Sequence, residues 1–240
     1  PLYNVFILLI SLMPGHNVGL AIIALTILVR LLLTPLKHKA IDAQMKQKEL
    51  QPELKVIQDK HKDNRQAQSQ ATMQLYKDRG INPAGGCLVQ LVQLPILIIL
   101  YFVFLRGLGR DEYQLLYPFI HAPQTLGLSF LWLKDITKVD HTFILPILAG
   151  VSQFLYSRSL MASQPTSGGP NDIGAMMGKQ MTYIFPVLTV FIARSFPAGL
   201  SLYWVAATVV DWAQQSHGMK RYHRRKSRTA VVSVRQKKAS

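Results

Sequence analysis

The stretch VGLAIIALTILVRLLLTPL, residues 18–36, carries a single charge, Arg30, in nineteen residues, and its reading decides the fold. As a helix rising about 1.5 Å per residue it is about 28 Å long, close to the ~30 Å hydrocarbon core of a bilayer. Arg30 lies six residues before the end of the run, about 9 Å inside the boundary. Arginine cannot shed its proton to escape an apolar medium. An intramembrane arginine costs from about 2.5 kcal/mol upward, so its default reading is a functional site. The bland alternative is that Arg30 snorkels to the near interface.

Composition supports a membrane protein. The 240 residues are 49% hydrophobic yet hold 27 Lys+Arg against 12 Asp+Glu, a net charge of +15. Apolar and charged runs are separated along the chain, as in membrane proteins, whereas a soluble basic domain would intersperse them. The one cysteine, Cys87, excludes an internal disulfide framework and a cysteine-rich metal site. No signal peptide or transit segment is visible, and a start at Pro1 leaves room for an upstream piece. No internal repeat is evident.

Five apolar runs qualify or nearly qualify as spans: 18–36, 87–105, 142–156, 181–193 and 200–213. The last three are short of the ~17-residue lower limit unless flanking residues are included. Pro146 and Pro186 lie inside the third and fourth. Residues 194–199 (RSFPAG) read as a tight turn between the fourth and fifth. Residues 37–86 hold 10 Lys+Arg and six acids, and residues 218–240 hold nine and none, while residues 106–140 balance four of each. The positive-inside rule puts the first two regions in the cytoplasm, so five spans place the N-terminus outside and the C-terminus in the cytoplasm.

The expected organisation is an interfacial outer-leaflet helix (1–16), a first span (17–36), a cytoplasmic helical hairpin (37–86) and a second span (87–105). An extracytoplasmic loop (106–140), anchored at the interface by Tyr117 and Trp132, leads to a third span (141–158). A cytoplasmic loop (159–178), a fourth span (179–195), a fifth span (199–215) and a disordered basic tail (216–240) complete the chain. Pro52 marks a helix start in the hairpin and residues 61–65 (HKDNR) its turn. Met45, Leu50, Leu54 and Ile57 form the apolar stripe of one hairpin helix, and Met73 and Tyr76 part of the other.

Polar residues recur inside the spans. Thr26, Arg30 and Thr34 share one face of the first. Gln90 and Gln93 lie three apart in the second, Ser152, Gln153 and Tyr156 in the third, and Ser201, Trp204, Thr208 and Asp211 on one face of the fifth. A lone threonine back-bonds to its own helix, and a lone glutamine reads equally as interhelical glue. Together they point to a water-accessible groove open to the cytoplasm, and the short spans imply a locally thinned bilayer. Asp211, the only acid in the apolar segments, either pairs with Arg30 or is wet near its helix end. The fold class is therefore all-α, with five transmembrane helices, a cytoplasm-open hydrophilic groove and a cytoplasmic helical hairpin.

No catalytic or cofactor signature appears. The seven histidines lie in loops or at span ends without HExxH spacing, Ser201 has no intramembrane His or Lys partner, and no glycine-rich loop precedes Lys-Ser/Thr. An anion transporter or channel built on Arg30 is the competing class, though such carriers show repeats and more spans. A membrane-anchored nucleic-acid binder is the third. Its tail lacks aromatic interleaving beyond Tyr222, so base stacking is not expected.

TILVRLLLTPL (26–36), PELKVIQDKHK (52–62), LYKDRGINPAGGCLVQLVQLPILIILY (75–101) and FPAGLSLYW (196–204) resemble, in this order, the YidC/Oxa/Alb family of membrane protein insertases. The resemblance runs from about 1 to 215 and is that of the five-span form. It implies a non-enzymatic insertase without cofactor, metal or small-molecule substrate, whose groove is closed outside. Arg30 would attract acidic segments of nascent membrane proteins, with Thr26 and Trp204 lining the groove. The hairpin would handle substrates or targeting partners such as the signal recognition particle receptor, alongside the Sec translocon and membrane lipids. The tail cations Lys220, Arg221, Arg224, Arg225, Lys226 and Arg228 are similar to those used for docking on ribosomal RNA. Three positions depart from the family pattern: Thr208 where Asn is frequent, Asp211 where a neutral residue is usual, and Val89 where Pro commonly follows GCL.

Overall fold

A computed structural model describes residues 2–82, 95–104, 116–120, 123–162 and 173–239, and among these all regular structure is helical. The helices are α1 (Leu2–Leu12), α2 (Val18–Leu32), α3 (Thr34–Glu49), α4 (Gln51–Lys60), α5 (Arg65–Asp78), α6 (Pro95–Phe104), α7 (Ile144–Met161), α8 (Ile173–Arg194) and α9 (Ala198–Ala239). Much of the expected second span, with Gln90 and Gln93, lies outside the described residues.

The apolar core sits where α1, the start of α2, α6 and the start of α9 meet. Phe6, Ile7 and Ile10 of α1 join Val18, Ala21, Ile22 and Leu25 of α2, Leu100 of α6, and Leu200 and Tyr203 of α9. The spacing of the α2 residues, i, i+3, i+4 and i+7, is the helical core stripe. Asn17 starts α2 by accepting from the Leu20 N–H at 3.0 Å, and its amide donates to the Ser129 carbonyl at 2.7 Å. The loop thereby lies on the α2 terminus, where Gly19 is required: a Cβ there would sit 2.3 Å from the Phe130 ring. The same loop satisfies the first N–H groups of α9, with Ala198 bonding the Lys138 carbonyl at 2.7 Å and Gly199 that of Ile136 at 2.8 Å.

Three elements differ from the sequence reading. The run 18–36 is not one helix: α2 ends at Leu32 and α3 leaves at 59°. Pro35 lacks the N–H that would bond the Leu31 carbonyl, so it stands in the first turn of a new helix. The hairpin region accordingly holds three helices, with Pro52 in the first turn of α4 and Asn64 capping α5 after the 61–63 turn. Met45, Leu50 and Leu54 are buried, whereas Met73 is exposed. Arg79 closes α4 against α5 through both Glu53 oxygens, at 2.9 and 2.8 Å. The tail, expected to be disordered, continues α9 as helix to Ala239. Beyond Pro197 the chain has no proline and only Gly199 and Gly218, and Lys and Arg are good helix formers.

Pro146 falls in the first turn of α7, where it breaks no hydrogen bond. Asp140 anchors that terminus, accepting from the Leu145 N–H at 2.8 Å and the Thr142 N–H at 2.9 Å. Burial raises its carboxyl pKa, but bonds from the Thr142 hydroxyl and the two N–H groups outweigh this and hold it below the usual value. No single described helix is long and apolar enough to cross a membrane, and the bent pair α2–α3 alone passes that test as a unit.

Candidate functional site

Sequence polarity changes along α2 and α9 together. Where the apolar core ends, α2, α3, α7 and α9 enclose a charged cluster. Asp211 of α9 accepts from Arg30 Nη1 at 3.0 Å and lies 3.3 Å from Lys37 Nζ, both through Oδ1. The Arg30, Lys37 and Asp211 side chains are only 9%, 7% and 11% exposed. Lys37 also donates to the Tyr156 hydroxyl at 3.0 Å, with its ammonium 5.0 Å from that ring's centroid. Two cations against one carboxylate leave the cluster a net charge of +1. Such pairs attract more strongly here than in water, and removing one member of a buried pair costs about 3–5 kcal/mol.

The bend at Leu33 makes this cluster possible, because it turns the first turn of α3 and Lys37 toward the α9 carboxylate. Gln214, one turn past Asp211, holds the joint: its amide donates to the Arg30 carbonyl at 3.1 Å and to Thr34 Oγ1 at 2.9 Å. A second polar contact runs from Trp204 Nε1 to Gln153 Oε1 at 3.4 Å, and from the Gln153 amide to Ser157 Oγ at 3.3 Å.

Of the residues singled out in the sequence, Arg30 and Asp211 meet, Tyr156 joins them through Lys37, and Trp204 meets Gln153. Thr26, Thr34 and Thr208 turn their hydroxyls back to the carbonyls of Ile22, Arg30 and Trp204, at 2.7, 2.9 and 2.8 Å. Gln90 and Gln93 lie outside the described residues. Lys37 and Gln214 were missed. The sequence reading places Lys37 in the hairpin, although its position seven residues after Arg30, two helical turns on, is a usable sign of a shared face.

The tail cations divide into two sets. Arg221 Nη1 lies 3.1 Å from His38 Nδ1, Arg225 lies 3.9 Å from Asp42, and Lys226 pairs with Glu49 at 2.7 Å. Burial, then the charges of Arg221 and His217, push the His38 pKa down, and arginine can only donate, so neutral His38 is the acceptor. Burial raises Glu49, but its bonds from Lys226 and Tyr222 win and lower it, while Tyr222 is pushed up to about 12 by burial and by Glu49. Gln215 donates to Gln44 at 3.1 Å, and a Cβ on Gly218 would sit 2.6 Å from Ile41, so α9 and α3 run in close contact. All six tail cations are exposed, and Lys220, Arg224 and Arg228 take no part in these contacts with α3.

The family described as 60Kd inner membrane protein matches residues 9–226. The chain is 37% identical over 200 residues to the Membrane protein insertase YidC of Nitratidesulfovibrio vulgaris (strain DP4), covering 83% of this chain and 34% of that protein. It is 38% identical over 199 residues to the Membrane protein insertase YidC of Francisella tularensis subsp. novicida (strain U112), covering 83% and 32%. The chain thus spans about a third of the length of these curated relatives.

Proposed function

The chain belongs to the 60Kd inner membrane protein family, and from that premise we propose that it is a membrane protein insertase. It receives nascent membrane proteins from the cytoplasm and releases their apolar segments sideways into the bilayer through a hydrophilic groove. Five spans, an outside N-terminus and a cytoplasmic C-terminus complete the reading, with α4 and α5 as the cytoplasmic hairpin.

The observation that carries the mechanism is the net-positive cluster of Arg30, Lys37 and Asp211. An acidic substrate segment supplies the second carboxylate that two cations can accept. No covalent chemistry is needed. Charge attraction lowers the barrier for the polar segment, and burial of the following apolar segment, about 0.8 kcal/mol per CH₂, drives release. Exposed apolar side chains support lipid contact: Ile27, Leu31 and Leu32 of α2, Ile184, Val187 and Phe191 of α8. The exposed tail cations, with Lys220 and Arg224 foremost, are the ribosome-docking set, and the hairpin is the surface for targeting partners.

The test is insertion into proteoliposomes of single-span substrates with acidic or neutral N-terminal tails. Arg30→Ala lowers insertion of the acidic substrate about tenfold, the equivalent of about 1.4 kcal/mol, and Arg30→Lys retains most of it. Full insertion by Arg30→Ala defeats the charge mechanism. An anion flux in the same liposomes that depends on Arg30 favours a transporter instead.

A further inference from the structure

We propose that the cleft between α3 and α9 holds the phosphate of an anionic phospholipid headgroup. The cleft is lined by Pro35, His38, Lys39 and Asp42 of α3 and by Gly218, Arg221 and Arg225 of α9. It lies on the far side of the α2–α3 joint from the apolar core and does not share Lys37, which points to Asp211. Three cations against the Asp42 carboxylate, with His38 neutral and bonded to Arg221, leave it a net charge of +2. The small Gly218 lets α9 approach Ile41 closely and forms one wall. Guanidinium groups present planar pairs of donors that match phosphate oxygens.

The surroundings select lipid over free phosphate. Leu31 and Leu32, at the end of α2 just before Pro35, are 62% and 71% exposed. A soluble anion has no use for such a flank, whereas a phospholipid would lay its acyl chains along the leucines and its phosphate beside Lys39, Arg221 and Arg225. Basic pockets between helices at the cytoplasmic surface recur as headgroup sites. The assignment rests on reading the α2–α3 joint as the cytoplasmic membrane boundary, and its test measures lipid rather than insertion, so the two stand or fall separately.

Native mass spectrometry of the full chain in detergent, titrated with short-chain phosphatidylglycerol, phosphatidylcholine or inorganic phosphate, reads the site directly. The expected result is one retained phosphatidylglycerol, no comparable retention of phosphatidylcholine, and little displacement by phosphate. Lys39→Gln with Arg221→Gln weakens retention about fivefold for each charge removed. Lys39→Arg retains the lipid and shows that the fold and cleft persist. Equal retention of phosphatidylcholine overturns the proposal, as does displacement by equimolar phosphate. So does an equal loss in Lys220→Gln with Arg224→Gln, which removes the same charge away from the cleft. Displacement of the lipid by a short RNA at equal concentration shows a nucleic-acid surface instead.

Discussion

On the proposed insertase reading, Asp211 sets how much charge a substrate would meet. The neutral residue usual at this position in the family would leave Arg30 and Lys37 without their common counter-ion. Here the carboxylate occupies the place between them that a substrate carboxylate would seek. An acidic substrate segment would have to share or displace it, and the balance among these three charges would set the attraction. Asp211→Asn is expected to raise crosslinking of an acidic nascent segment next to Arg30 while lowering the thermal stability of the free protein. Two cations in a nearly enclosed site then repel each other and lose their shared charged acceptor. A double-mutant cycle of Asp211→Asn with Arg30→Gln, read by thermal unfolding, should return a coupling of about 1–3 kcal/mol. Additive losses would mean that the pair contributes nothing. The sequence placed Arg30 and Asp211 on helical faces, since periodicity reports faces. It left their partners open, because which faces meet is decided by packing, including the 59° turn between α2 and α3.

Helix ends were legible where their determinants are local. Pro52 and the polar 61–65 run announce a start and a turn, and the structure has α4 beginning at Gln51 and Asn64 capping α5. The break at Leu33 and the length of α9 were not read. In the sequence the Thr34–Pro35 step reads as the end of an apolar run, and the tail's charge reads as a solvated arm. What keeps the tail helical is partly long-range, in Gln215–Gln44, Tyr222–Glu49 and Lys226–Glu49. At α7, the anchor is Asp140, whose pKa is depressed in the folded chain. A depressed carboxyl stabilises the fold above its unfolded value, about 3.9, and loses that contribution as pH falls through the lower folded value. Thermal unfolding followed from pH 6 to pH 2 should show this loss below about pH 4. Asp140→Asn should flatten that acid limb, and Asp140→Ala, which strands the Leu145 N–H, should cost about 1–3 kcal/mol at pH 7. An unchanged acid limb in Asp140→Asn would assign it to other carboxylates.

Across the whole molecule, α9 passes through three environments. Leu200 and Tyr203 lie in the apolar core, Asp211 and Gln214 in the charged cluster, and Tyr222 to Lys226 on the basic seam with α3. At about 1.5 Å per residue its 42 residues extend about 63 Å, roughly twice a hydrocarbon core. As far as Lys226 the basic tail lies against α3, and its two sides differ. Arg221, Arg225 and Lys226 have partners on α3, whereas helical spacing puts Lys220 and Arg224 on the other side of α9. Cations that already hold protein partners release fewer counterions on meeting RNA, so the outward pair should dominate any ribosome contact. Co-sedimentation of detergent-solubilised chain with ribosomes at low salt tests this. Lys220→Gln with Arg224→Gln should weaken it more than Arg225→Gln with Lys226→Gln, which removes the same charge, and raise the salt sensitivity of neither variant above wild type. Equal loss in both pairs would show that bulk tail charge, rather than the face set by the α3 contact, binds the ribosome.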